Sequence, residues 1–143
     1  RVAPKIVMDT NIFVGALISS TGSNRSVLRG CLSGKAIPLM GLSLFSEYEA
    51  LLHRVDLMKK CPIPTAERQT LFEALLSVCT WVKVYCLWRP NLPDEGDNHL
   101  IELALAGNAI AIVTNNVRDL RGGELHFPQL QIMTPSQFLR TLK

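Results

Sequence analysis

Short runs of consecutive apolar residues alternate along the chain with longer segments whose apolar positions recur at helical spacing. Lys5-Ile-Val-Met8 reads as a short buried strand, ending at Asp9-Thr10-Asn11, whose side chains can cap a helix over about residues 12–18. A loop over residues 19–23 leads into a second helix over 24–33, stopped by Gly34, and then a strand over 36–40. Ser43 is expected to cap a helix running to about Arg54. After the breaker Cys61-Pro-Ile-Pro64, residues 66–80 read as a helix, with Leu71, Leu75, Leu76 and Cys79 on one face. Residues 81–86 alternate as a strand. A loop over 89–94 opens a helix over about 95–106, closed by Gly107-Asn108. Residues 109–113 form the most continuous apolar strand, and 130–133 another. Thr134-Pro-Ser-Gln137 then fits a capping box with proline at the first helical position, opening a last helix to Lys143.

Strands that are apolar throughout, separated by helices, predict an α/β fold with a mostly parallel central sheet flanked by helices. The 143 residues, 48% hydrophobic and 19% charged, predict a single domain over residues 1–143 whose core needs neither disulfides nor a structural metal. The longest apolar stretch, residues 100–113, is interrupted by Glu102, Gly107 and Asn108 and falls short of the roughly 18 apolar residues of a spanning helix. With no signal-like apolar segment near its start, the chain is expected to be cytoplasmic, with no membrane partner. Cys31, Cys61, Cys79 and Cys86 match no zinc or redox spacing and read as small buried hydrophobes.

The formal net charge of +3 permits a polyanionic partner without demanding one. Its distribution is more informative. Residues 1–46 hold five basic side chains and a single carboxylate, Asp9; residues 90–117 hold four carboxylates and no Lys or Arg. In a parallel sheet, ligands gather beyond the carboxyl ends of the strands, which is where Asp9 and the segment Thr114-Asn115-Asn116-Val-Arg118-Asp119 fall. Asp97 shares a helical face with Leu100, Ile101 and Ala104, which turns it toward the core, while Asp94 and Glu95 suit an exposed first turn. Glu47 and Glu49 flank opposite sides of one apolar helix face, and Glu47, nearer the helix start, is the better candidate. An ordinary capping or solvated role is open for each of these acids. Together they also form a set of oxygen ligands of the kind that binds Mg²⁺ or Mn²⁺ and activates water. His99, two residues past Asp97 and off its face, reads as a surface histidine, and His53 and His126 complete no metal motif.

Four pieces, namely Asp9-Thr10-Asn11 after a strand, Ser43-Leu-Phe-Ser-Glu47, Asp94-Glu-Gly-Asp97 ahead of Leu100-Ile-Glu-Leu-Ala104, and Ile112-Val-Thr-Asn-Asn-Val-Arg-Asp-Leu120, resemble the PIN domain family in their order and spacing. They look most like the VapC-like toxin components of toxin–antitoxin systems. The resemblance covers essentially the whole chain and implies a Rossmann-like fold and a Mg²⁺- or Mn²⁺-dependent endoribonuclease. Carried onto this sequence, it implies Asp9 and Asp97 as metal ligands, Glu47 as a further catalytic acid, and a fourth group within 114–119. Many relatives read Thr-Gly-Asp where this chain has Thr114-Asn115-Asn116, so either Asn116 or Asp119 completes the set. Asn11, Thr114, Asn115 and Asn116 are expected to position the substrate phosphate, with Arg25, Arg29, Arg118 and Arg121 as further phosphate contacts. The implied partners are an RNA substrate, a cognate antitoxin, provisionally near residues 57–64, and a second copy in a homodimer. Two other readings stand beside this one. The first is a catalytically inactive PIN-like module that binds RNA or protein. The second is a haloacid-dehalogenase-type phosphotransferase, whose pattern needs a second Asp where this chain has Asn11.

Overall fold

The computed structural model describes residues 3–18, 22–54, 59, 64–83, 98–115, 117 and 130–142. Five strands and six helices lie among them: β1 (Lys5–Met8), α1 (Thr10–Ile18), α2 (Ser23–Leu32), β2 (Ile37–Met40), α3 (Leu42–Leu52), α4 (Thr65–Val78), β3 (Thr80–Trp81), α5 (Asn98–Ala106), β4 (Ala111–Val113), β5 (Gln131–Met133) and α6 (Pro135–Thr141). The strands form one sheet in the order β3-β2-β1-β4-β5, and every pairing is parallel.

The central position of β1 follows from its composition. Ile6, Val7 and Met8 project alternately to the two faces, yet all three are buried, so both faces are covered. Ala111, Ile112 and Val113 of β4 are buried in the same way and pair with Ile6, Val7 and Met8. The chain leaves β1 toward β2 on one side, and β4 continues to β5 on the other. The strand order therefore reverses between β1 and β4, and the carboxyl ends of these two parallel strands bound the crevice that such a reversal creates.

Tyr48 ties helix α3 to the end of β1 at that crevice. The β1–β2 register runs only through Ile6↔Pro38, and the buried Tyr48 hydroxyl donates to the Met8 carbonyl at 2.7 Å. The Tyr48 ring meets Phe13 of α1 edge-on at 5.6 Å and Phe72 of α4 at 5.7 Å, which ties three helices together beneath the strand end.

Several boundaries differ from the sequence expectation for identifiable reasons. Helix α3 begins at Leu42, and its cap position is Gly41, with no side-chain cap bond, where Ser43 was expected to cap. Gly41 lies against α5, where a methyl group would approach Leu103 Cδ1 to 3.2 Å. The end of α5 divides its roles between two residues. Asn108 takes the left-handed backbone (φ 58°), with its N–H bonded to the Leu105 carbonyl and the Ala109 N–H to the Ala104 carbonyl. Gly107 supplies room, since a methyl there would come within 2.5 Å of Leu39 Cδ1. At α6 the expected capping box is present, with the Thr134 hydroxyl accepting from the Gln137 N–H and the Gln137 side chain from the Thr134 N–H. Strand β3 is Thr80–Trp81; of the strand expected over 81–86, Val82 and Lys83 are not strand and residues 84–86 lie outside the described residues, as do residues 95–97 of the expected helix.

Cys31 and Cys79 are free thiols, both pushed up to about 12 by burial, and behave as the small hydrophobes the sequence suggested; Cys61 and Cys86 lie outside the described residues. No described helix is long and apolar enough to cross a membrane.

Removing the Tyr48 hydroxyl leaves the Met8 carbonyl without its donor in a buried setting. Tyr48→Phe is expected to lose about 1–3 kcal/mol in urea unfolding, with the same cooperative transition.

Candidate active site

The crevice is built from the residues that immediately follow β1 and β4. The Asp9 N–H bonds to the Val113 carbonyl at 3.0 Å and the Thr114 N–H to the Met133 carbonyl at 2.9 Å, so both residues extend the sheet ladder. Their side chains meet there: the fully buried Thr114 hydroxyl donates to Asp9 Oδ2 at 2.7 Å. Asn11, on the first turn of α1, folds its amide back over the same pair, with Nδ2 3.3 Å from Asp9 Oδ2 and 3.4 Å from Thr114 Oγ1. On its other side, Asp9 Oδ1 lies 3.4 Å from the Thr10 hydroxyl, which donates at 2.8 Å to Glu47 Oε1. Glu47 Oε2 is 2.8 Å from His99 Nε2 on α5.

Asp9 is only 6% exposed. Burial pushes its carboxyl above the ordinary aspartate value, the Thr114 hydrogen bond opposes this, and the nearby Glu47 charge adds to the rise. Glu47 moves the other way. The His99 hydrogen bond holds its carboxyl below the ordinary value, partial burial opposes, and the Thr10 hydroxyl lowers it further. One hydroxyl thus separates a buried, electrostatically strained carboxylate from a half-buried, well-partnered one. Toward the Glu47 carboxylate, which only accepts, His99 Nε2 is the donor, and the buried Nδ1 of the ring has no hydrogen-bond partner among the described residues.

Of the expected site residues, Asp9, Asn11, Glu47, Thr114 and Asn115 converge on this edge. Glu47 points in, as its place near the helix start suggested, and Glu49 is exposed. Asp97, Asn116 and Asp119 lie outside the described residues, as do Arg118, Arg121 and all of 57–64 but Lys59 and Pro64. Among the described residues, no cluster of three His, Cys, Asp or Glu side chains is close enough to share a metal ion. Arg25 binds the Ala16 carbonyl through Nε at 2.9 Å. Arg29 is in a cleft with Pro4, Lys35 and Ile110, each just before a sheet strand, and so sits at the opposite edge of the sheet from Asp9.

His99 departs from its expected surface role, with a side chain only 18% exposed. Helix α5 is buried over five consecutive residues, Leu100 to Ala104, so assigning one inward face from Asp97 leaves out the second buried face that His99 shares with Glu102 and Leu103. Thr10 was also missed as a site residue, although a hydroxyl directly after a buried acid is a readable signal.

The sequence profile of the PIN domain family matches residues 5–118. The chain belongs to the PIN domain family. No curated protein matches it. Among solved structures, this PIN domain is similar to VapBC2 from Rickettsia felis, bound to a DNA fragment from its promoter, with 16% identity, a TM-score of 0.57, and coverage of 91% of this chain and 98% of that one. At that identity the likeness shows the fold, and the five-stranded parallel sheet with its helices agrees with the Rossmann-like PIN architecture expected above.

The raised Asp9 carboxyl carries a definite sign for stability. Its proton is held more tightly in the folded chain than in the unfolded one, so the ionised group costs stability above its folded pKa, and the cost fades as pH falls toward the ordinary value of about 3.9. In chelator at pH 7, Asp9→Asn is expected to melt a few degrees above wild type, with the gap closing as the pH is lowered to about 3.5. Thermal melts by circular dichroism check this, and an equal gap at both pH values would contradict it.

Proposed function

We propose that this PIN domain is a divalent-metal-dependent endoribonuclease acting as the toxin of a toxin–antitoxin pair. The observation that carries the reading is the Asp9 carboxylate, buried at the switch point of the sheet, raised by desolvation and by a second carboxylate, and surrounded by hydroxyl and amide donors. A charge so placed gains from an arriving cation. The carboxylate and hydroxyl oxygens gathered at the ends of β1 and β4 suit a hard ion such as Mg²⁺ or Mn²⁺, with Asp97 completing the ligand set and Asn116 or Asp119 the acidic quartet, as the resemblance implies. Such an ion, once bound, lowers the pKa of water and stabilises charge developing on a phosphoryl group.

The chain's own residues then have separable tasks. Asp9 holds the ion, and the Thr114 hydroxyl and Asn11 amide fix the carboxylate's orientation. Glu47, held at both oxygens by Thr10 and His99, is preset to accept a proton or orient the attacking water. Asn115, exposed at the crevice mouth, faces the substrate backbone, and Asn11 aligns it. The Rickettsia felis complex lends support to an antitoxin partner here, and the family resemblance to a homodimer.

Cleavage of single-stranded RNA followed on gels in Mn²⁺ tests the assignment. Asp9→Asn is expected to lower the rate by on the order of 100-fold or more, excess EDTA to abolish it, and His99→Ala to cost roughly 10-fold through loss of Glu47's orientation. Undiminished cleavage by Asp9→Asn would end the nuclease assignment. Absence of Mn²⁺ binding by calorimetry would favour a catalytically inactive PIN-like module that binds RNA or protein.

A further inference from the structure

Three amides run outward from the carboxylate pocket. Asn11 Oδ1 accepts from the Asn115 N–H at 3.3 Å and from Asn115 Nδ2 at 3.5 Å, and Asn115 Nδ2 also donates to Asn24 Oδ1 at 3.3 Å. The ladder links α1, the end of β4 and the first turn of α2. Its inner member is fully used, because Asn11 Nδ2 already donates to Asp9 and Thr114. Its outer end is not. Among the described residues, the Asn24 NH₂ and the Asn115 side-chain carbonyl make no hydrogen bond, and Asn115 is exposed.

The Asn24 amide occupies a place that the sequence keeps open. Gly15 lies inside α1 without a left-handed backbone angle, so no turn requires it, and glycine weakens a helix interior. A methyl group on Gly15 would fall on Asn24 Nδ2 and stand 2.9 Å from its Cγ. The glycine thus gives up helix stability to seat a donor group that bonds nothing within the described protein.

We infer that Asn24, seated on Gly15 and aligned by Asn115, is a specificity-determining residue that reads an unpaired nucleobase next to the cleaved phosphate. A phosphate offers only acceptors, whereas two linked amides with one NH₂ and one carbonyl unused supply both the donor and the acceptor that the mixed edge of a base calls for, and such edges are accessible in single-stranded RNA. The inference rests on the nuclease reading, and its test separates the two.

Gly15→Ala, Asn24→Ala and the double variant are compared with wild type for binding of a fluorescein-labelled single-stranded RNA pool in chelator, and for cleavage-site sequence and KM against kcat in Mn²⁺. Each single variant is expected to weaken binding and raise KM about tenfold, to leave kcat within about twofold, and to flatten base preference at one position beside the cut. The double variant is expected to match the singles, since one displaces and the other removes the same amide, and Gly15→Ala to melt no lower than wild type. Binding within twofold of wild type with unchanged base preference overturns the inference even if wild type cleaves well. So does a Gly15→Ala defect that comes with a lower melting temperature. Wild type that binds RNA through the ladder but never cuts it overturns the nuclease reading alone, and wild type that does not bind RNA overturns both.

Discussion

A carboxylate placed at the end of a fully buried central strand has nowhere to go. Asp9 follows three residues sealed on both faces, and its own N–H is committed to the neighbouring strand, so the backbone cannot turn the charge outward. The surrounding edge is arranged to meet this constraint. The Thr114 hydroxyl arrives because β4 runs parallel to β1 in a register that sets Val113 beside Met8. Helix α1 starts at once, which brings the Asn11 amide back over the acid, and Thr10 hands the remaining side of the pocket to Glu47. Tyr48, one residue beyond Glu47, holds α3 at the height where that handover works.

The two carboxylates are moved in opposite directions by environments that differ in kind. Asp9 has hydroxyl and amide partners but little solvent, so desolvation dominates. Glu47 keeps partial access to water and gains the His99 ring, so hydrogen bonding dominates. Environments that push neighbouring titratable groups apart give them different work. Here Asp9 is the one with most to gain from a positive partner, and Glu47 is the one already held in a fixed orientation.

Much of this was legible in the chain. The apolar runs 6–8 and 109–113 were legible as buried strands because burial on both faces removes polar alternation, and Asp9 and Thr114 were marked by standing directly after them. The Thr134 capping box was legible because it is local chemistry. The Glu47 to His99 contact was not, since it joins residues 52 apart and depends on α5 being buried nearly all round, which a one-face helical reading cannot express. The role of Gly15 was hidden for a related reason: a glycine kept for space on behalf of a distant side chain leaves no mark in its own neighbourhood. The cap of α3 fell at Gly41, which lies close against α5, and not at Ser43.

The placement of Asp9 on the innermost strand also fixes how the site responds to fluctuation. Local openings release helix ends and edge strands long before they reach a strand paired on both sides. By that rule the Asp9–Thr114 floor, on strands paired at both sides, belongs with the last parts of the chain to open, and the α2 end of the amide ladder, on a helix terminus, with the first. The same pocket is rigid at its base and adjustable at its mouth.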